Sequence, residues 1–429
     1  MTERPLYFMV AFWGERYRDR FASLFLRSLL SPNNLPRLRA EDGHCFLIAT
    51  TRVDWLAVEN LPIMTELRHY VLPVLVEIPD GDDDSYTAAL HRQTRCLKLL
   101  FEAAYPNRPY GCLLLPDLIV SDGFVAAIIR SADAGHQLVL LPALRQAEEG
   151  VLDDLTAAGL LAFEARPGKP MQPLTLAPRM LADLALRHLH PEVAVFEEGH
   201  PCQPLYPPFR FWRVPERNGI ILHGFFGLPI LMDFAAMPTD HADCLGHDDY
   251  ESVYLGRNFS RRTRLYVIAD SDECGVLSLT EREVNRSIPR ISRRFGSRLM
   301  PHFALLANLR QNVSRYCRPH GDVVRRELFG HAVRWHADDL DEPYLREEKR
   351  IERLIDRAAV DYWSGRDFPS RFSLQPRYLM LDLASMPQFL MRIAGLMHLL
   401  LAALTGDGGG RLRQILTAVI ARYRRFIIR

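Results

Sequence analysis

Short, fully apolar runs alternate with segments of helical spacing through the first third of the chain, and that alternation sets the expected fold. Residues 6–13 (LYFMVAFW) end at Gly14 and read as a buried strand with its exit turn. Residues 17–30 follow, with Phe21, Leu24, Phe25 and Leu29 on one helical face. Residues 45–50 (CFLIAT) predict a second strand, 53–69 a helix broken at a proline, and 71–78 a third strand that Pro73 places at a sheet edge. A helical pattern over 86–104 leads into 110–120 (YGCLLLPDLIV), the strongest buried run in the chain. A helix over 124–133 and a strand over 137–142 complete the series. Repeated strand–helix alternation predicts an α/β fold, a mostly parallel Rossmann-like sheet covered by helices on both faces.

The pattern changes near residue 170. Proline-rich stretches separate short strand-like runs at 209–214, 219–223 and 265–269, which read as loop-rich insertions on the same sheet. From 281 the spacing is mainly helical, over 281–318, 343–362 and 386–429, with a charged, irregular stretch at 319–342. Two units are therefore expected: an α/β domain over 1–280 and a helical C-terminal region over 281–429.

Composition narrows the functional classes. With 48% hydrophobic and 24% charged residues among 429, the chain is globular, and its net charge of +1 gives no nucleic-acid-like footprint. Lys98, Lys169 and Lys349 are the only lysines, so arginine supplies almost all the cations and no single arginine stands out for being one. Seven cysteines at irregular spacing, with no CxxC, fit reduced buried thiols. The N-terminus lacks the order of a signal peptide, and together these features imply a cytoplasmic protein.

The C-terminal end carries a further signal. Residues 386–404 are apolar but interrupted by Arg392 and His398, leaving less than the ~20 residues a membrane span needs. Residues 411–429 hold six arginines and no acid among Ile, Leu, Val, Tyr and Phe. That pattern suits a helix lying on anionic lipid at the inner membrane, or equally a packed terminal helix with a solvated basic face.

Ligands of open parallel sheets bind at the carboxyl ends of strands, and acids stand at several such places. Asp117 lies inside the buried 110–120 run and Asp122 just beyond it; an acid pair there could hold a divalent cation, while Asp122 could instead cap the next helix. His223 follows an apolar strand between open glycines. Asp240, His241, Asp243, His247, Asp248 and Asp249 crowd one loop, as metal or catalytic groups or as a plain hydrophilic surface. Asp270 and Asp272 form a weaker fourth place after the 265–269 run. GxGxxG, Walker and GxSxG motifs are absent from the sequence, against dinucleotide enzymes, P-loop NTPases and α/β-hydrolases.

The order of these features resembles the nucleotide-sugar glycosyltransferases of the A-type fold over roughly residues 5–275. FMVAFWGERY looks like their opening strand and loop, LLLPDLIVSDGF like the strand that ends in an Asp-x-Asp motif, and GIILHGFFGLPILMD like their later histidine region. Here one acid of the motif is in place, in Pro116-Asp117-Leu118. The resemblance implies donor contacts from Phe12, Gly14, Glu15, Asp117 and Asp122, with Asp117 and His223 on a manganese or magnesium ion. Asp248 or Asp249 would be the base that activates the acceptor. The partners implied are a nucleotide-sugar donor and a glycan, lipid-linked or protein acceptor. Two other readings remain open: a non-catalytic interaction protein on a degenerate sheet of this kind, and a metal-dependent hydrolase built on the Asp/His-rich loop.

Overall fold

The computed structural model describes residues 4–79, 86–161, 172–204, 207–245, 250–259, 263–283 and 323–363, with isolated positions between 305 and 317. Asp248, Asp249 and the expected terminal helix over 386–429 lie outside the described residues.

Strand β1 (Leu6–Ala11) runs into helix α1 (Glu15–Arg20), which continues through a π-helical turn (Phe21–Phe25) into Leu26–Leu29. Then come β2 (Cys45–Thr50), α2 (Arg52–Val58), α3 (Pro62–Leu67), β3 (Leu72–Glu77) and the long α4 (Tyr86–Ala104). The next elements are β4 (Tyr110–Leu114), β5 (Leu118–Val120), α5 (Phe124–Asp133), β6 (Leu138–Leu141), β7 (Leu144–Ala147) and α6 (Glu148–Ala157). Helices α7 (Pro178–Arg187) and α8 (Pro191–Ala194) lead to β8 (Phe209–Arg213), β9 (Gly219–Gly224) and β10 (Leu228–Asp233). The described chain closes with α9 (Tyr250–Asn258), β11 (Leu265–Val267), β12 (Val276–Thr280), α10 (Val323–Gly330), β13 (Val333–His336) and α11 (Glu342–Trp363).

The central sheet has seven strands in the order β11-β6-β10-β4-β1-β2-β3. Pairing is parallel throughout except at β10, which is antiparallel to both β4 and β6. A mostly parallel sheet buried on both faces needs apolar residues at every position of its inner strands. Accordingly, Leu6, Phe8 and Val10 of β1 face one core with Phe46 and Ile48, and Tyr7 and Met9 face the other with Leu47 and Ala49. Pro73 stands in β3 at the sheet edge, where a missing N–H breaks no ladder.

Three expectations change. The 110–120 run is two strands rather than one: Pro116 and Asp117 break it, β4 stays in the central sheet, and β5 pairs with β12 in a second sheet, ordered β5-β12-β7. The runs at 209–214 and 219–223 do not insert into the central sheet; they pair with each other and with β13 in a third sheet, ordered β13-β9-β8. The 319–342 stretch contains α10 and β13, so the part of the C-terminal region that is described is mixed rather than wholly helical. There Ile351, Leu354 and Ile355 of α11 pack in one cluster with Trp212 and Ile221 of the third sheet.

The strand order fixes where a ligand can enter. From β1 the chain steps outward through β2 and β3 on one side, then crosses to β4 on the other. That reversal opens a crevice outside the carboxyl ends of β1 and β4, the topological switch point of an open α/β sheet.

Candidate functional site at the β1–β4 switch point

The β1 side of the crevice is built by a strand–glycine–helix turn. Phe12 is buried and its ring stacks on Phe21 at 4.6 Å, which anchors the strand end in the core. Trp13 is half-buried, with the Arg92 guanidinium 4.9 Å from its ring centroid, a spacing that supports a cation–π contact. Gly14 has φ +80 with open space where a side chain would stand, so the chain turns into α1 at the one residue type that enters this region without strain. Glu15 follows with its side chain 82% exposed, 3.4 Å from Arg18.

Asp54 of α2 holds that turn. Its Oδ2 accepts from the Gly14 N–H at 2.9 Å and from the Thr51 hydroxyl at 2.9 Å, and its own N–H donates to Thr51 Oγ1 at 3.1 Å. The reciprocal Thr51–Asp54 bonds cap α2. One buried carboxylate thus ties the ends of β1 and β2 together.

The β4 side carries Asp117. Its backbone carbonyl accepts the Leu279 N–H at 3.0 Å, which fixes the β4–β5 break against β12. Its half-buried carboxyl is pushed up to about 6, chiefly by burial; Glu148 pushes the same way, and Arg20 and Arg145 oppose. Glu148 opens α6 and is gripped through both oxygens by Arg20 of α1, with the Nε bond at 2.7 Å. Arg16 of α1 reaches Glu281 at 2.6 Å and Glu148 at 3.6 Å. Asp117, Glu148, Glu281, Arg16, Arg20 and Arg145 thus form one polar cluster beyond the carboxyl end of β4. Sequence reading missed all of it but Asp117, because an acid opening a helix and arginines on an amphipathic helix look solvated until tertiary pairing brings them together.

The remaining expected residues lie elsewhere. Asp122 accepts from the backbone N–H and the side-chain amide of Asn33, each at 2.8 Å, and so pins the loop after α1. It does not cap α5, whose N-cap is Gly123 with no side-chain bond. His223 is fully buried in the third sheet, packed edge-on to the Trp212 and Phe329 rings, with Nδ1 2.9 Å from the Phe329 carbonyl. Burial lowers it to about 4, so it is neutral. Asp117 stands at the break between β4 and β5, whereas His223 lies within β9 of the third sheet.

The described residues at Asp117 do not fit a divalent cation. The nearby carboxylate of Glu148 is already engaged through both oxygens, and the other close charges are guanidinium groups. A site of the kind expected from Asp117 and His223 is therefore not assembled. Three converging donors occur instead at Asp270, Asp272 and His336, whose ligand atoms lie within 4.8 Å of one another and which could hold a metal ion. Among the described residues, no helix is long and apolar enough to cross a membrane.

No protein-family model matches the chain, and no curated protein matches it. A solved structure described as a glucose-1-phosphate thymidylyltransferase from Bacillus anthracis, in complex with sucrose, matches at 13% identity and a TM-score of 0.20. The match covers 34% of this chain and 57% of that one. A likeness at that score leaves the activity to be argued from the geometry alone.

Proposed function

We propose that the protein is a nucleotide-sugar-dependent transferase whose donor lies in the crevice at the carboxyl ends of β1 and β4. The observation that supports this most is the strand order: it reverses at β1, with the Gly14 turn on one side of the reversal and Asp117 on the other. On this reading Trp13 and the Gly14 turn approach the nucleoside, and Asp117 accepts a hydrogen bond from the donor. Arg16, whose side chain is 41% exposed, would exchange its Glu281 partner for the diphosphate that leaves, in place of a cation at that point.

In the transfer step an acceptor hydroxyl oxygen bonds to the anomeric carbon while the bond from that carbon to the diphosphate oxygen breaks. The hydroxyl proton passes to a carboxylate, for which Asp248 and Asp249 remain the proposed groups. The acceptor is a glycan, a lipid-linked sugar or a protein, and the basic segment at 411–429 would hold the chain at an anionic surface where such acceptors reside.

Thermal melting with a panel of nucleoside diphosphates and nucleotide sugars, in metal-free buffer, tests this reading. Binding to the native state raises the midpoint by linkage. A shift for one nucleotide class, weakened in Asp117→Asn, is the expected result. No shift with any nucleotide, in metal-free or manganese-containing buffer, rejects it in favour of an interaction protein on the same sheet.

A further inference from the structure

A second cluster lies at the seam between the central sheet and the third sheet. Beyond β11 the chain pairs with β13: Arg334 N–H donates to the Ala269 carbonyl at 2.8 Å, and Ser271 N–H donates to the Arg334 carbonyl at 2.9 Å. This pairing brings Asp270 and Asp272 beside His336, two residues after Arg334. The place is separate from the Asp117 crevice. Strand β12 runs antiparallel to β5, with Leu279 bonded to Asp117 at one end and Val276 paired with Val120 at the other, and the Asp270 segment joins β12 at the Val276 end.

The imidazole is set as a ligand would be. The His336 side chain is 1% exposed. Its Nδ1 stands 2.6 Å from the Asp338 backbone carbonyl, which can only accept, so Nδ1 carries a hydrogen and Nε2 is the free ligand position. Nε2 is turned toward Asp270 Oδ1 at 2.9 Å. Two electron-rich atoms that close need a positive charge between them, either a proton or a metal ion. An Nδ1–H held by a backbone carbonyl is the outer-shell arrangement that orients metal-binding histidines. Asp270 is likewise oriented, because the Asp272 N–H donates to its Oδ1 at 2.9 Å.

The third donor is accessible. The Asp272 side chain is 38% exposed, and both its oxygens accept from Arg179 at 3.0–3.2 Å. Arg179 is itself 46% exposed and also bonded to the 86% exposed Asp339, so, unlike the nearly buried Arg20 on Glu148, it can swing to Asp339 and water when a cation takes its place. Four ligands at about 2.0–2.1 Å around a tetrahedral ion stand roughly 3.3 Å apart. The donor spacing here, from 2.9 Å up to the 4.8 Å limit of the cluster, brackets that value.

We propose that Asp270, Asp272 and His336 bind one divalent cation of the zinc or manganese class, which fastens the end of β11 to β13. The imidazole ligand favours those ions over magnesium, which takes oxygen donors and keeps its waters. The site is independent of the nucleotide reading, and nucleotide is absent from its test.

The experiment is equilibrium dialysis of the metal-stripped full chain against zinc or manganese chloride, with metal analysis and melting on the same samples. One ion per chain and a raised midpoint are expected. Asp272→Ala, a change at a half-exposed surface position, and His336→Gln should each abolish both, while Arg179→Ala should tighten binding by removing the competing cation. Absence of binding, or stoichiometry unchanged in Asp272→Ala, overturns the proposal and leaves His336 as the protonated partner of Asp270.

Discussion

Asp54 accepts the backbone N–H of Gly14 through Oδ2 at 2.9 Å, forty positions apart in the chain. The bond makes the exit turn of β1 depend on a helix cap at the end of β2, since the same oxygen also takes the Thr51 hydroxyl. Asp54→Ala keeps the backbone N–H that Thr51 Oγ1 accepts, but removes the tether to Gly14 and the acceptor of the Thr51 hydroxyl. A stability loss of about 1–3 kcal/mol is expected from urea unfolding, the cost of leaving those donors without their partner. Donor affinity should weaken beyond that, because the Gly14 turn then has no fixed position. Unchanged nucleotide affinity in a folded Asp54→Ala protein would detach the turn from the site.

Arg20 and Glu148 meet across 128 residues and are both nearly buried, with side chains 10% and 9% exposed. Removing one partner of such a pair strands a charge in a medium that cannot solvate it. Glu148→Gln should therefore cost about 3–5 kcal/mol, whereas Arg20→Met with Glu148→Leu should cost much less. Denaturant midpoints of the two single variants and the double variant measure this. Equal losses in the single and double variants would show that packing, rather than a stranded charge, is what the pair supplies.

Much of this frame was legible in the sequence for one physical reason. A strand buried on both faces is apolar at nearly every position: β1, β4 and β6 are so throughout, and β2 is up to Thr50. Of the strands that escaped, β7 (LRQA), β12 (VLSLT) and β13 (VRWH) are short and carry polar residues, while β10 (LPILMD) is apolar but contains a proline and follows closely on the 219–223 run. Each finds its place only through a partner far along the chain. Asp117 could be singled out because an acid inside an apolar run demands an explanation. Glu148 could not, since an acid in the first turn of a helix is ordinary wherever a helix begins. His336 was hidden in a stretch that read as irregular, and its meeting with Asp270 is a product of the bridge between the segment after β11 and β13. His223 was misplaced for the opposite reason: a histidine at the end of an apolar strand looks exposed until a neighbouring sheet edge and the Phe329 carbonyl enclose it.

Burial of His223 predicts that the protein is acid-sensitive. The folded pKa of this histidine is lowered to about 4 from an ordinary 6.5, so between those values the unfolded chain binds a proton that the native state refuses. Stability contributed by the neutral ring is complete above the unfolded value and is lost as pH falls from 6.5 toward 4. The loss is bounded at about 3 kcal/mol by the size of the shift. His223→Gln should flatten the dependence of the melting midpoint on pH in this window, whatever it does to stability at neutral pH. A slope equal to that of the unmodified protein would place the acid sensitivity elsewhere.

Asp117 acts with the opposite sign over an overlapping window. Its folded pKa is raised to about 6 from 3.8, so the native state binds the proton more tightly than the unfolded chain does. The favourable contribution is present below 3.8 and disappears as pH climbs through 6, leaving an ionised carboxyl whose burial is only partly offset by Arg20 and Arg145. Asp117→Asn replaces it with a neutral group of the same shape. That variant should melt higher than the unmodified protein at pH 7, by no more than the equivalent of about 3 kcal/mol, and should converge with it near pH 4. Turnover should respond in the other direction. A carboxyl kept in the crevice at a cost in stability is expected to act on the ligand, so the stabilised Asp117→Asn should lose nucleotide-sugar turnover. A variant that gains stability and keeps full turnover would make Asp117 a structural residue of the β4–β5 break and move the donor site away from it.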